Sequence, residues 1–306
     1  MRRFIIRTGA FAAIVVLTLG GICVLEIVAE IRAYGSECVA PAAATVAVVG
    51  DSQAAMAVDS DHNPRFFNFA AHGRTLDQSW LSLMDVVAAN PGRIRTVLVD
   101  VTPANAGGPF ETGIADMGYA AQYYLLHLLH RRENLRDLRG VLGVMRDNMV
   151  GRRLRKFFRA LRGKQEFRSS LCGGFTPDTP VLSKLNPIGY RAMIRERADV
   201  VERALPIASD STLFRILDGV VALRAAGVEV VLVTTPWCDE LRAACDQGRL
   251  EGLFRQLGAF AASRGIRYLN FFETSFEADC WRDGHHLNAK GAWEFTRRLQ
   301  TALAER

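Results

Sequence analysis

The chain has 306 residues, enough for one large domain or two modest domains with a buried core. Its apolar content of 49% and charged content of 23% are ordinary for a globular protein and argue against a disordered chain. The net charge of +6 is concentrated, because thirteen Arg or Lys residues against four Asp or Glu residues lie between positions 131 and 168. The remainder is slightly acidic, so no general affinity for nucleic acid is expected.

The first thirty residues differ from the rest of the chain. Arg2, Arg3 and Arg7 precede an uncharged apolar run, Thr8–Leu25, which is long enough to predict a transmembrane helix. Basic residues before the run predict a cytoplasmic N-terminus and an exported remainder, as in a single-pass inner-membrane protein with a periplasmic domain. A cleavable signal peptide is the alternative, but its apolar region is usually shorter. We therefore expect an anchor over residues 1–33, a linker over 34–44 and one domain over 45–306.

The sequence of the domain predicts alternating strands and helices. Helical patterns follow most of the strand candidates, and an insertion over about residues 109–205, between the third and fourth strands, also looks helical. This alternation predicts an α/β fold with a parallel five-stranded sheet, whose ligands lie beyond the carboxyl ends of the strands. The five strand candidates are Thr45–Gly50, Phe66–Ala70, Thr96–Val101, Val228–Thr234 and Ile266–Phe271.

A serine stands where the first strand gives way to a helix, in the sequence Gly50-Asp51-Ser52. The N–H groups at the start of a helix favour negative charge, which acyl transfer to a serine creates. Gly-Asp-Ser is also an ordinary helix cap, so this segment alone does not identify a nucleophile.

A matching segment follows the last strand, with Asp283 three residues before His286 and immediately before the last helix. On a turn, Asp283 can accept the Nδ1 proton of His286 and leave Nε2 free to take the proton of a serine. The adjacent His285 is the alternative base. Ser52, Asp283 and His286 are therefore the predicted catalytic residues.

Taken together, the two segments resemble the SGNH hydrolases, also called GDSL-like esterases, in which Gly-Asp-Ser opens the domain and Asp-x-x-His closes it. The resemblance covers about residues 44–306 without the insertion. It implies a flavodoxin-like three-layer α/β/α sandwich with Ser52 as nucleophile. It also implies that Gly73, at the end of the second strand, helps to form the oxyanion hole with the N–H of Ser52. The family's third block, Gly-x-Asn-Asp, is replaced here, and Asn105 is its displaced counterpart.

These observations predict a serine hydrolase or acyltransferase that acts on O-acyl esters, and specifically on O-acetyl groups of a cell-envelope polysaccharide. Two alternatives stay open: a lipid esterase or thioesterase, and a non-catalytic envelope assembly or carbohydrate-binding protein with the same fold. Partners in envelope polysaccharide synthesis fit the first prediction. No cofactor and no metal are implied, and the six cysteines contain no Cys-x-x-Cys pair that would suggest zinc.

Two further features allow more than one interpretation. In an exported domain, Cys238 and Cys245 are the first candidates for a disulfide, although packed thiols fit equally well. The basic segment within the insertion is a solvated helical face, a surface for anionic lipid, or a guide for an acidic polysaccharide.

Overall fold

The computed structural model describes residues 1–106, 174–176, 187–208 and 211–305, which fall into two compact units. In the first unit the described residues form one helix, α1 (Arg2–Glu37). It continues four residues past the predicted end of the anchor at residue 33. Among the helices formed by described residues, none is both long and apolar enough to span a bilayer, so the predicted transmembrane helix is not supported.

The second unit is built around a five-stranded sheet in which every neighbouring pair of strands is parallel. The strand order is β2-β1-β3-β4-β5, and each strand is one or two residues shorter than predicted. The predicted α/β class and five-stranded parallel sheet are confirmed. The strands are β1 (Val46–Val49), β2 (Phe66–Asn68), β3 (Thr96–Asp100), β4 (Glu229–Thr234) and β5 (Arg267–Asn270).

Burial explains why these short runs form the middle of the sheet. All side chains of β1 and β3 are buried, as expected for apolar, β-branched strands covered on both faces. Their register pairs Val48 with Leu98, and Leu98 with Val231 of β4. The edge strand β5 is only half-buried, which fits its more polar sequence.

Helices connect the strands and also follow the last one. Local capping sets two of the helix ends: Thr75 caps α3, and Gly227 ends the helical segment before β4 with a left-handed φ of 78°. The helices are α2 (Ser52–Ala57), α3 (Leu76–Ala89), α4 (Pro103–Ala106), α5 (Pro187–Ala208), α6 (Ser211–Val221), α7 (Asp239–Ala244), α8 (Gln247–Arg264) and α9 (Ala289–Ala304).

Chain connectivity creates a natural site at the carboxyl ends of β1 and β3. From β1 the chain passes to β2 on one side of the sheet, and then returns past β1 to β3 on the other side. Loops that leave neighbouring strands in opposite directions open a crevice between them. Ser52 follows β1 and Asn105 follows β3, so both lie at this crevice.

The insertion between β3 and β4 is described only in part. Its basic segment, residues 131–168, lies outside the described residues, as does most of the predicted range 109–205. The helix α5 belongs to it and agrees with the helical prediction. Gly174 and Thr176 donate backbone hydrogen bonds of 3.0 Å to the carbonyl groups of Ala70 and Ala55, which brings this part of the insertion to the end of β2 and to α2.

The candidate disulfide between Cys238 and Cys245 does not form, and both thiols are free and buried. The two residues cap opposite ends of α7. At about 1.5 Å per residue, a helix of this length separates its ends by about 10 Å, too far for a disulfide to bridge. Burial is the main reason that the pKa of each thiol is raised, to about 11.

Candidate active site

The turn between β1 and α2 holds Ser52 at the first residue of the helix. Asp51 caps the helix, because its carboxylate accepts a hydrogen bond of 2.7 Å from the N–H of Gln53. Gly50 is required by a close approach between strands, since a Cβ at this position would lie 2.6 Å from the Cβ of Asp100. The serine hydroxyl is thus held above the carboxyl end of β1.

The loop before α9 is folded by its own backbone. The N–H of Arg282 donates to the carbonyl of His286 at 2.9 Å, and Trp281 forms an antiparallel bridge with Leu287. Asn288 then caps α9 by accepting from the N–H of Gly291 at 3.1 Å. These contacts fix a tight turn over residues 283–286 and direct its side chains toward the sheet.

Folding brings the three predicted catalytic residues into one hydrogen-bonded line. His286 Nε2 lies 2.8 Å from Ser52 Oγ, although the two residues are 234 positions apart. His286 Nδ1 lies 2.8 Å from Asp283 Oδ2 on the other side of the ring. The second carboxylate oxygen of Asp283 accepts from the N–H groups of His285 and His286, each at 3.0 Å. This arrangement can move a proton from the serine to the imidazole.

Burial and nearby charges shift the pKa values of both Asp283 and His286. Burial raises the pKa of Asp283, but hydrogen bonds and charges from His285 and His286 outweigh it, so that its pKa is well below the usual value. Burial is also the main reason that the pKa of His286 lies below 6.5, although Asp283 acts in the opposite direction. At neutral pH the pair is therefore a carboxylate and a neutral imidazole, the state that a general base requires.

The adjacent histidine, His285, takes a different position. Its ring stacks on that of His286 with 3.9 Å between centroids and meets Trp237 edge-on. Its Nδ1 lies 3.2 Å from Asp283 Oδ1, and the ring lines the pocket beside Ser52. The hydrogen bond to the serine hydroxyl is made by His286. The geometry therefore makes His286 the candidate base and His285 part of the pocket wall.

Asp283, His285 and His286 also form a group that a metal ion could use, since their ligand atoms lie within 4.8 Å of one another. Two of these residues already belong to the hydrogen-bonded line. Both ring nitrogens of His286 are engaged, one by Asp283 and the other by Ser52. A metal ion here would have to replace those contacts.

The predicted oxyanion-hole residues lie around one pocket of about 230 Å³, lined by Ser52, Gly73 and Asn105 among others. Gly73 has a φ of 68°, a conformation that favours glycine. The side chain of Asn105 is turned toward its own loop: Nδ2 donates to the carbonyl of Asp100 and Oδ1 accepts from Thr102 N–H, each at 2.9 Å. One N–H bond of Asn105 is thus used to hold the end of β3, leaving the other for a ligand.

A polar contact that the sequence did not indicate ties α2 to the end of β4. Gln53 Oε1 accepts hydrogen bonds from Trp237 Nε1 at 2.5 Å and from Thr235 Oγ1 at 3.2 Å. Trp237 has no exposed surface in the unbound protein, although it borders the pocket. Because Gln53 directly follows Ser52, this contact fixes the orientation of the first turn of α2.

A buried carboxyl group, whose role the sequence did not indicate, lies beneath the site. Asp100, at the end of β3, is only 1% exposed. Burial, and then the charge of Asp51, raise the pKa of Asp100 well above the usual value. Burial raises the pKa of Asp51 as well. The folded protein therefore keeps a proton at Asp100 that an unfolded chain would release above about pH 4.

This proton makes folding stability depend on pH. Between the unfolded and folded pKa values of Asp100 the folded state binds more protons, so the contribution of this residue to stability decreases as pH rises. Asparagine cannot ionise, so Asp100→Asn is not expected to lose stability in this way as pH rises. Its melting temperature relative to the wild type should therefore increase from pH 4 to pH 8. Melting curves measured in parallel across this range check the expectation, and parallel pH dependences in the two proteins would contradict a protonated Asp100.

If Asp283 orients a catalytic base, Asp283→Asn is expected to lower kcat for ester hydrolysis by about 10⁴-fold, as in triad hydrolases that lose the orienting carboxylate. We also expect a change in the dependence of kcat/KM on pH. In the wild type kcat/KM should rise with pH through an inflection below 6.5, because His286 must lose its proton to act as a base. Without the carboxylate that raises the pKa of His286, the inflection should move to lower pH. Rates measured between pH 4 and pH 8 test this, and an inflection that moves upward would refute the assigned role.

Comparisons with known proteins add little to this geometry. No protein-family model matches the sequence, and neither does any curated protein. Among solved structures, the chain is similar to a protein of Bacteroides fragilis that is provisionally described as an acylhydrolase. The similarity covers 85% of this chain and 86% of that chain, with 12% sequence identity and a TM-score of 0.39. At this TM-score the likeness carries no argument about function.

Proposed function

We propose that the chain is a serine-dependent ester hydrolase or acyltransferase of the SGNH type, with the three-layer sandwich of that family. The observation that carries the proposal is the line from Ser52 through His286 to Asp283, with 2.8 Å at each hydrogen bond to the imidazole ring. Such a line gives a serine hydroxyl a neutral imidazole as its base and a carboxylate that stabilises the imidazolium formed.

The proposed reaction has two halves. Ser52 Oγ attacks the ester carbonyl while its proton passes to His286 Nε2. The tetrahedral oxyanion is stabilised by the N–H groups of Ser52 and Gly73, which line the same pocket. Collapse of this intermediate breaks the bond to the alkoxide, which takes the proton from His286 and leaves an acyl-Ser52. Water or a second hydroxyl group then attacks the acyl-enzyme with His286 again as base.

We further propose a short acyl group, specifically O-acetyl on a cell-envelope polysaccharide, as the substrate. The cavity of about 230 Å³ suits a small acyl group and part of an alcohol better than a long lipid chain. Envelope location is a prediction from the order of basic and apolar residues at the N-terminus, and partners in polysaccharide synthesis follow from that location.

Covalent labelling tests the serine-dependent chemistry directly. The purified protein would be incubated with a serine-directed fluorophosphonate, and the mass of the adduct and its position would be determined by peptide mapping. The expected result is one adduct on Ser52 in the folded protein and none after heat denaturation. The exposed Ser275 serves as an internal control for non-specific reaction. Absence of labelling, or an adduct elsewhere, would favour the non-catalytic binding protein.

A further inference from the structure

One wall of the pocket is formed by α5. Arg197, Val200 and Val201 all line the pocket. Their spacing of three and four residues places them on one face of the helix. Val201 is 4% exposed and Val200 is 40% exposed, so this face runs from the interior to the mouth. Arg197 is half-buried on the same face and is therefore a residue of the pocket wall.

A second guanidinium group borders the same pocket. Arg74 follows the candidate oxyanion-hole residue Gly73 and is only 5% exposed. Its Nη1 donates to the carbonyl of Phe69, and its guanidinium lies 5.5 Å from the centroid of the Phe69 ring. These contacts hold the side chain in place. Because a guanidinium keeps its charge at any physiological pH, Arg74 places a cationic side chain in the pocket wall next to Gly73.

The carboxylates nearest to the site have partners other than Arg197. Asp51 also lines the pocket, but its carboxylate accepts from Gln53 N–H at 2.7 Å and from Thr102 Oγ1 at 3.3 Å. Asp283 is held by the two histidines. Within the described residues, Arg197 takes part in no hydrogen bond or ion pair. In this part of the chain, therefore, no carboxylate competes with a ligand for Arg197.

We propose that Arg197 forms an anion subsite in the Ser52 pocket, and that the substrate is an ester with a carboxylate or phosphate group on its alcohol portion. A guanidinium presents parallel N–H groups that match either oxyanion. This proposal rests on the proposed function, which identifies the reacting bond as an ester. It adds that the substrate is negatively charged. The half-buried position of Arg197 matters because water competes less there for the same donors.

The test compares three phenyl acetates with different para substituents. They are 4-acetoxybenzoate, 4-acetoxyphenyl phosphate and the neutral methyl 4-acetoxybenzoate. The measured quantity is the ratio of kcat/KM for each anionic ester to kcat/KM for the neutral one. Intrinsic ester reactivity is the same for every variant, so a change in this ratio reports the protein alone. The variant is Arg197→Gln. The matched control is Arg195→Gln, an exposed arginine on the same helix, about 200° around it from Arg197.

We expect Arg197→Gln to lower at least one of the two ratios by about tenfold, in line with the loss of one charge-assisted hydrogen bond. Arg195→Gln should leave both ratios as in the wild type. The ester whose ratio falls further identifies carboxylate or phosphate as the preferred group. Equal ratios in the wild type and Arg197→Gln would overturn the subsite, as would an equal fall in the control.

A binding measurement separates this proposal from the proposed function. Ser52→Ala protein would be titrated calorimetrically with the same esters, with and without Arg197→Gln. One outcome is that the wild type turns over no ester, while the anionic esters bind Ser52→Ala tightly and bind about tenfold more weakly when Arg197→Gln is added. In that case the catalytic proposal fails and the subsite stands. If turnover depends on Ser52 but the neutral ester binds as well as the anionic ones, then the subsite fails and the catalytic proposal stands.

Discussion

If Ser52 is the nucleophile, Ser52→Ala is expected to lower kcat for p-nitrophenyl acetate by at least about 10⁵-fold, because removal of the nucleophile from triad hydrolases leaves only the catalysis that the oxyanion hole and binding provide. The folded state should change little. The substitution removes the hydrogen bond between Ser52 Oγ and His286 Nε2, which contributes about 1 kcal/mol at most to the free energy of unfolding. The expected signature is thus lost turnover with a melting temperature within a few degrees of the wild type.

Steady-state rates and melting curves measured on the same preparation check this expectation. Ser275→Ala is the matched control, since Ser275 is an exposed serine that does not line the pocket. It should retain wild-type turnover. Substantial residual activity in Ser52→Ala, at more than about a hundredth of the wild-type rate, would mean that another group is the nucleophile.

His286→Gln is expected to lower kcat by a similar factor, at least about 10⁵-fold, since the base and the nucleophile act as one unit. Glutamine is preferred to alanine here because His286 is 8% exposed, and a smaller side chain would leave a cavity. His285→Gln should cost less than about tenfold. His285 borders the pocket and contacts Asp283, but the hydrogen bond to Ser52 Oγ is made by its neighbour.

The two histidine variants decide between adjacent residues. Single-turnover rates of acylation are measured with the enzyme in excess over p-nitrophenyl acetate. They report the first step that needs the base, which is acylation of the serine. If His285→Gln proves as slow as His286→Gln, then both rings are needed for proton transfer. If it proves slower, then the assignment of the base is reversed.

Much of the fold could be predicted from short segments. The five strands were identified because buried parallel strands are short runs of β-branched residues that end in glycine or polar residues. The helical segment before β4 was expected to end at Gly227, because glycine readily adopts the left-handed conformation that ends a helix. Asp283 and His286 were paired because their separation of three residues brings them together on a turn, independent of the rest of the protein.

The disulfide shows where a local pattern fails. Cys238 and Cys245 are close in sequence, but the helix α7 lies between them and holds the thiols apart. The sequence gives the distance between two cysteines along the chain, and this distance does not determine their separation once the residues between them form a helix.

By itself, then, the sequence determined the alternation of elements, the serine at a strand end and the Asp-x-x-His turn, because each depends on residues within a few positions of one another. Only the tertiary structure decided that His286 and not His285 reaches Ser52, that Gln53 is held by Trp237, and that Arg197 faces the pocket. The first two contacts join residues 234 and 184 positions apart, and the third depends on which face of α5 packs inward. No local period in the sequence encodes them, because they arise from how the helices pack around the sheet.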